Sequence, residues 1–161
     1  MYYPLAFDVF LCIINYLMPD NMSKYMNITA VTEDEFRKQF RVVLQRDECT
    51  TINNIVYFWM SENPIPRVSG ESNILYIGQT SRSLNGRYSS KNDFEIEVAY
   101  FNRFYRHIIQ KYGAVYLDVK EAVNPKFSEW EELAKYYCTH LEYPPLNRAV
   151  PSKPVTCTKN A

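Results

Sequence analysis

The stretch 73-NILYIGQTSRSLNGRYSS-90 decides how the chain is read. It opens as a strand, Ile74-Leu75-Tyr76-Ile77, and breaks at Gly78. Apolar, β-branched and aromatic residues in a short run suit a pleated, half-buried surface. Polar residues follow, and Arg87 stands three positions after Leu84. A strand that presents Tyr-Ile-Gly and then returns an arginine is the pattern of a site. It is also the pattern of an ordinary strand and loop, so the flanking chain has to separate the two.

Upstream, Ile55-Val56-Tyr57-Phe58-Trp59 predicts another buried strand. Ser61 to Ser72 holds two prolines and a glycine and reads as a loop, so the two strands pair antiparallel. Downstream, Phe101, Phe104, Tyr105, Ile108 and Tyr112 share one face of a helix over Ala99–Tyr112, with Gly113 as its C-terminal cap. Val115 to Val119 alternates as a third strand. Asn124-Pro125 opens a helix that runs to about Leu141, and Pro144-Pro145-Leu146-Asn147 closes the pattern.

The first third of the chain reads as helical. Phe7, Phe10, Leu11, Ile14, Leu17 and Met18 recur at helical spacing. That apolar run lacks a positive leader and is too short to span a bilayer. Thr32 with Glu35 reads as a capping box, ahead of a stripe of Phe36, Phe40, Val43 and Leu44. The expected fold is α+β: a three-stranded antiparallel sheet flanked by helices over 51–150, a helical extension over 1–50 and a flexible tail over 151–161. For the extension, packing competes with dimerisation to a second copy or contact with DNA.

The 161 residues are 47% hydrophobic, 22% charged and 16% aromatic, enough for a core. Formal net charge is zero, so no global field draws the protein to nucleic acid or membrane, and such binding has to be local. Cys12, Cys49, Cys138 and Cys157 form no CxxC pair, and there are two histidines, which argues against zinc. The cysteine spacing predicts no disulfide framework and hence a reducing, cytoplasmic compartment, or a nuclear or viral one.

These residues, in this order, resemble the GIY-YIG nuclease superfamily. Ile55-Val56-Tyr57 stands where the family has Gly-Ile-Tyr, and Tyr76-Ile77-Gly78 matches Tyr-Ile-Gly. Thr80 follows, Leu84 and Arg87 match the family's leucine and the arginine three residues after it, and Pro144-Pro145-Leu146-Asn147 matches the closing Pro-x-x-Asn turn. The likeness covers roughly 53–148. The first glycine is missing, Gln79 replaces a common lysine, and Lys91 stands where many members carry histidine.

The resemblance implies a Mg²⁺- or Mn²⁺-dependent DNA endonuclease of restriction or phage type. It makes Tyr57 the base or water-orienting group, Tyr76 its partner and Arg87 the phosphate clamp. Gly78, Thr80 and Asn147 would support them. A helical glutamate should hold the metal, and Glu129, Glu131, Glu132 and Glu142 compete. If Phe127, Trp130, Leu133, Ala134, Tyr137, Cys138 and Leu141 form the packed face, Glu131 flanks it, so Glu131 is the expected ligand. Ser128 with Glu131 also reads as a capping box. Arg82, Lys91 and Arg103 are the expected nucleic-acid contacts, and His107 and His140 are expected to be structural or solvent-facing. The competing reading is an inactive module that binds nucleic acid or protein on the same scaffold.

Overall fold

The computed structural model describes residues 27–148 and Cys157. The expected helix from Phe7 to Met18, any dimer contact it would make, and the expected flexible tail lie outside the described residues, Cys157 excepted.

Where the sequence carries a capping box, a helix starts. Thr32 Oγ1 accepts from the Glu35 N–H at 3.3 Å, and the Glu35 carboxylate accepts from the Thr32 N–H at 3.3 Å. Helix α1 (Glu33–Leu44) then buries Phe36, Phe40, Val43 and Leu44, and a short α2 (Asp47–Thr51) follows.

The strands are β1 (Asn27–Ile28), β2 (Ile55–Pro66), β3 (Glu71–Thr80) and β4 (Val115–Glu121). They form one antiparallel sheet in the order β1-β4-β2-β3. The α+β class is as expected, but the sheet has four strands rather than three. The extra strand is two residues long, too short for any alternation to show in the sequence.

The expected loop over Ser61–Ser72 is also corrected, because β2 runs on to Pro66. β4 pairs with β2 only from Ile55 to Ser61. The Glu62 N–H still donates to the Ala114 carbonyl at 2.8 Å. Past Glu62 no described strand pairs with that edge of β2, and an unpaired edge tolerates proline.

After β3, a single helical turn α3 (Leu84–Arg87) leads to α4 (Lys91–Tyr100). A π-helical turn, Phe101–Tyr105, joins α4 to α5 (Arg106–Tyr112). Gly113 ends α5 at φ +83°, which favours glycine. Helix α6 (Pro125–His140) begins at an Asn124 cap, whose side chain accepts from the Phe127 N–H at 3.2 Å.

Each face of the sheet has its own core. Tyr57, Trp59 and Leu117 pack with Phe36, Phe40, Leu84, Phe101 and Tyr105, while Val56, Phe58 and Ile77 pack with Leu133 and Tyr136 of α6. Phe36 stacks on Tyr105 at 5.1 Å and Phe40 lies 5.5 Å from Trp59. Residue 50 therefore does not divide the core: α1 is one wall of it.

Cys138 and Cys157 form a disulfide, with Cα atoms 5.4 Å apart. This overturns the expectation of unpaired cysteines and removes the ground for inferring a reducing compartment from them. Among the described residues, no helix is long and apolar enough to cross a membrane.

Candidate active site

The β2–β3 register brings the two motif tyrosines together. Tyr57 faces Gly78 across the hairpin and Tyr76 faces Trp59, so the tyrosines are diagonal neighbours on one side of the sheet. Their ring centroids are 5.8 Å apart. Gly78 makes room for both. A Cβ at that position would stand 2.7 Å from Tyr57 Cζ and 2.8 Å from its hydroxyl, and would collide with the Tyr76 ring.

The chain then turns back. Thr80 Oγ1 accepts from the Arg82 N–H at 3.0 Å, and Ser83 Oγ caps α3 by accepting from the Gly86 N–H at 3.2 Å. That single turn delivers Arg87 to the tyrosines. Arg87 Nη1 lies 3.0 Å from Asp93 Oδ2, with the arginine side chain 37% exposed.

Together these elements line a cleft of about 550 Å³. Tyr57 and Tyr76 come from the sheet, Arg87 and Tyr88 from the α3 turn, Glu97 and Tyr100 from α4, Glu129 and Trp130 from α6. Leu146, Asn147 and Arg148 add the final turn. Asn147 fixes that turn to β3: Ile77 N–H donates to Asn147 Oδ1 at 2.9 Å, and Asn147 Nδ2 donates to the Ile77 carbonyl at 2.7 Å.

Burial dominates the electrostatics. It pushes the Tyr57 hydroxyl well above the usual tyrosine range, helped by Tyr76 and opposed by Arg87. Tyr76 moves the same way through burial, against the neighbouring Tyr57 hydroxyl and the Arg87 charge. Burial also raises the carboxyls of Glu97, against donation from Tyr105 and Tyr88, and of Glu129, against the Lys126 charge.

Of the sequence-predicted residues, the cleft brings together Tyr57, Tyr76, Arg87 and Asn147, with Gly78 and Thr80 beneath them. Glu131 is not among its lining residues, and Glu129 takes the place expected of it. The expected packed face was rotated. Phe127 and Leu141 are 52% and 58% exposed, whereas Leu133 and Tyr136 are buried. Glu129, Leu133, Tyr136 and His140 follow one another at spacings of four, three and four, a single helical face. Ser128 and Glu131 do not cap the helix, because Asn124 does so four residues earlier.

Arg82, Lys91 and Arg103 are exposed and lie outside the cleft lining. The cleft cations are Arg87, Lys126 and Arg148, the last with its guanidinium 4.9 Å over the Tyr100 ring. His140 is structural, its Nδ1 2.9 Å from the Ser69 carbonyl, and His107 is exposed.

Comparison with family models, with curated proteins and with solved structures returns no match to this chain. The site therefore has to be judged on its own geometry and chemistry.

Among the described residues, no group of three or more His, Cys, Asp and Glu side chains converges as a metal cage. Mg²⁺ does not need one: it retains several waters and takes one or two carboxylates. Glu129 lines the cleft and makes no hydrogen bond or ion pair with a described residue, so its desolvated carboxylate fits that role. Sequence reasoning missed Glu97, Tyr88 and Tyr105, because their spacings of nine and eight residues match no motif.

Proposed function

We propose that the chain is a divalent-metal-dependent endonuclease of the GIY-YIG type, hydrolysing phosphodiester bonds in DNA. One observation carries the proposal. Tyr57, Tyr76, Arg87, Glu129 and Asn147 come from separate chain segments and meet at one cleft, and four of them stand at positions of the nuclease pattern.

Each side chain has work suited to its chemistry. Arg87 offers a fixed charge with donors matched to phosphate oxygens, and its partial exposure leaves donors free beside Asp93. Tyr57 stays protonated near neutral pH, because burial penalises its phenolate. Its hydroxyl therefore orients an attacking water rather than acting as a standing base. Tyr76 packs beside Tyr57, ring centroids 5.8 Å apart, and restricts that orientation. Glu129 would hold Mg²⁺ or Mn²⁺ through its carboxylate. When bound, that ion supplies Lewis-acid polarisation of the phosphate and charge for the leaving oxygen. Asn147 keeps β3, and with it Tyr76 and Gly78, in register.

A DNA substrate implies the cytoplasm or the nucleus. The Cys138–Cys157 disulfide sits least easily there, since such compartments keep thiols reduced.

The second reading, a binding module on the same scaffold, draws on the Arg87–Asp93 pair, which already occupies the phosphate clamp. Nicking of supercoiled plasmid with Mg²⁺, with Mn²⁺ and with neither separates the two. Metal-dependent nicking by purified protein supports the nuclease. DNA binding without nicking under any of these conditions supports the module.

A further inference from the structure

The cleft also carries an aromatic and apolar lining that phosphodiester hydrolysis does not use. Ile96 and Tyr100 of α4, Trp130 of α6 and Leu146 of the final turn supply it. α4 belongs to the core on one face of the sheet and α6 to the core on the other, so Tyr100 and Trp130 reach the cleft from different layers of the fold. Each ring has a planar partner. The Arg148 guanidinium lies 4.9 Å over the Tyr100 ring, and Phe127 stacks on Trp130 at 5.9 Å. Phe127 and Ile96 are about half exposed, which is not how core packing looks. Trp130 is half-buried with its Nε1 shut away from solvent. The side-chain surface it leaves open is therefore carbon, a face for stacking rather than a hydrogen-bond donor.

The charges point the same way. Among the described lining residues, Arg87, Lys126 and Arg148 stand against Asp93, Glu97 and Glu129. Attraction to the DNA backbone comes from cations that replace the counterions of its phosphates. Before any metal binds, this cleft has no surplus of them, and Arg87 already faces Asp93 at 3.0 Å. Affinity has to come from something other than phosphate, and bases stacked on aromatic side chains supply it.

We propose that the cleft takes the base of an unpaired deoxynucleotide beside the scissile phosphate, stacked against Trp130 and the Tyr100–Arg148 pair, so that unpaired DNA is cut in preference to uninterrupted duplex. This rests on the nuclease reading of the cleft. In a duplex the bases stack on one another and show a protein only their edges. A base meets an aromatic wall face-on when it is unpaired or turned out of the stack. The cleft, at about 550 Å³, has the size of sites that enclose a small molecule, such as one nucleotide. Every base has a π-face, so the preference is for an unpaired base and not for a sequence.

Two measurements on the full chain test this. The first needs neither metal nor cleavage. In EDTA, a single strand with one base in an otherwise abasic backbone should bind roughly tenfold more tightly than the same strand with no base. It should also quench tryptophan fluorescence. The chain has two tryptophans and Trp59 is buried, so the quench should vanish in Trp130→Leu. The second is Mg²⁺-dependent cleavage. A duplex with one unpaired nucleotide should be cut beside it about tenfold faster than an uninterrupted duplex, and an abasic residue at that place should remove the gain. Trp130→Leu and Tyr100→Leu should shrink the preference, and Trp130→Phe, which keeps a ring, should retain part of it. Arg87→Ala should slow both substrates alike.

Equal binding of the two single strands overturns the proposal, as does a quench that survives in Trp130→Leu. A parent protein that cuts paired and unpaired DNA alike keeps the nuclease reading and sinks the base site. A parent protein that never cuts DNA sinks the nuclease reading, while the metal-free comparison still decides whether the cleft holds a base.

Discussion

The side-chain amide of Asn147 takes both hydrogen-bonding positions of Ile77, accepting from its N–H and donating to its carbonyl. β3 is the outer strand among the described residues, and no described strand pairs with Ile77 on that side. Asn147 acts there as a one-residue substitute for a neighbouring strand, and Leu146 adds a backbone bond to Leu75 at 3.0 Å. Edge strands left uncovered invite pairing with other chains.

Asn147→Ala should therefore cost stability in the range of ~1–3 kcal/mol, because two polar groups of β3 lose their partners. Urea denaturation measures the loss, and hydrogen exchange at the Ile77 amide localises it. Unchanged exchange at Ile77 would show that the clamp does not hold the strand.

Arg87→Ala should leave the fold intact and lower cleavage at least a hundredfold, since one lost donor to a charged transition state is worth about 3 kcal/mol. Arg87→Lys keeps the charge but loses the planar fork, and should recover only part of the rate. Full activity in Arg87→Ala would remove this residue from the site.

Stability should depend on pH at both ends. Tyr57, Tyr88 and Tyr105 all have hydroxyls raised by burial. The folded state holds these protons more tightly than the unfolded chain does. Their contribution is complete below the ordinary tyrosine value of about 10 and is lost as pH rises beyond it. Glu97 and Glu129 are raised as well, so the fold favours their protonated forms. Their contribution is largest below the ordinary glutamate value of about 4.3 and fades as pH climbs through their folded values. Glu97→Gln should flatten that acid slope and raise stability near neutrality. A denaturation series from acid to alkaline pH reads both effects, and an unchanged acid slope in Glu97→Gln counts against its burial cost.

The Cys138–Cys157 bond closes a loop that contains the turn from Pro144 to Arg148. Closing a loop of this length restricts the unfolded chain by roughly 3 kcal/mol. Reductant, or Cys138→Ser, should lower the denaturation midpoint accordingly. A midpoint indifferent to reductant would mean that the bond contributes nothing to the fold.

Much of this was legible in the sequence, for identifiable reasons. Thr32 and Glu35 announce α1 through local hydrogen bonds, and Asn124-Pro125 announces α6 in the same way. Tyr57, Tyr76, Gly78 and Arg87 form a compact pattern whose spacing the hairpin and one helical turn preserve. The failures are long-range. β1 exists only because β4 offers an edge to it. β2 runs through its prolines because no described strand pairs with one edge of its outer part. Cys138 meets Cys157 through the fold, and no spacing rule signals the pair. Glu97 looks like one more charge on a helix until Tyr88 and Tyr105 close over it.

The sequence pattern points to Glu131 rather than to Glu129 for a different reason, and that choice sets the last test. The apolar residues of α6 allow more than one stripe, and Phe127 and Leu141 drew the expected face around to Glu131. Packing selects Leu133 and Tyr136 instead, and Glu129 lies on their face one turn earlier. Glu129→Gln keeps the size of the side chain and removes the charge that would hold Mg²⁺. Cleavage should collapse, while DNA affinity should hold or tighten, because a negative charge has left the phosphate site. Glu131→Gln, outside the cleft and outside the helix cap, should cut DNA at close to the parent rate. Metal-dependent nicking and DNA affinity, measured for both variants side by side, read the difference. Collapse in Glu131→Gln with normal cutting by Glu129→Gln would reverse the assignment and mean that α6 presents a different face to the metal than to the core.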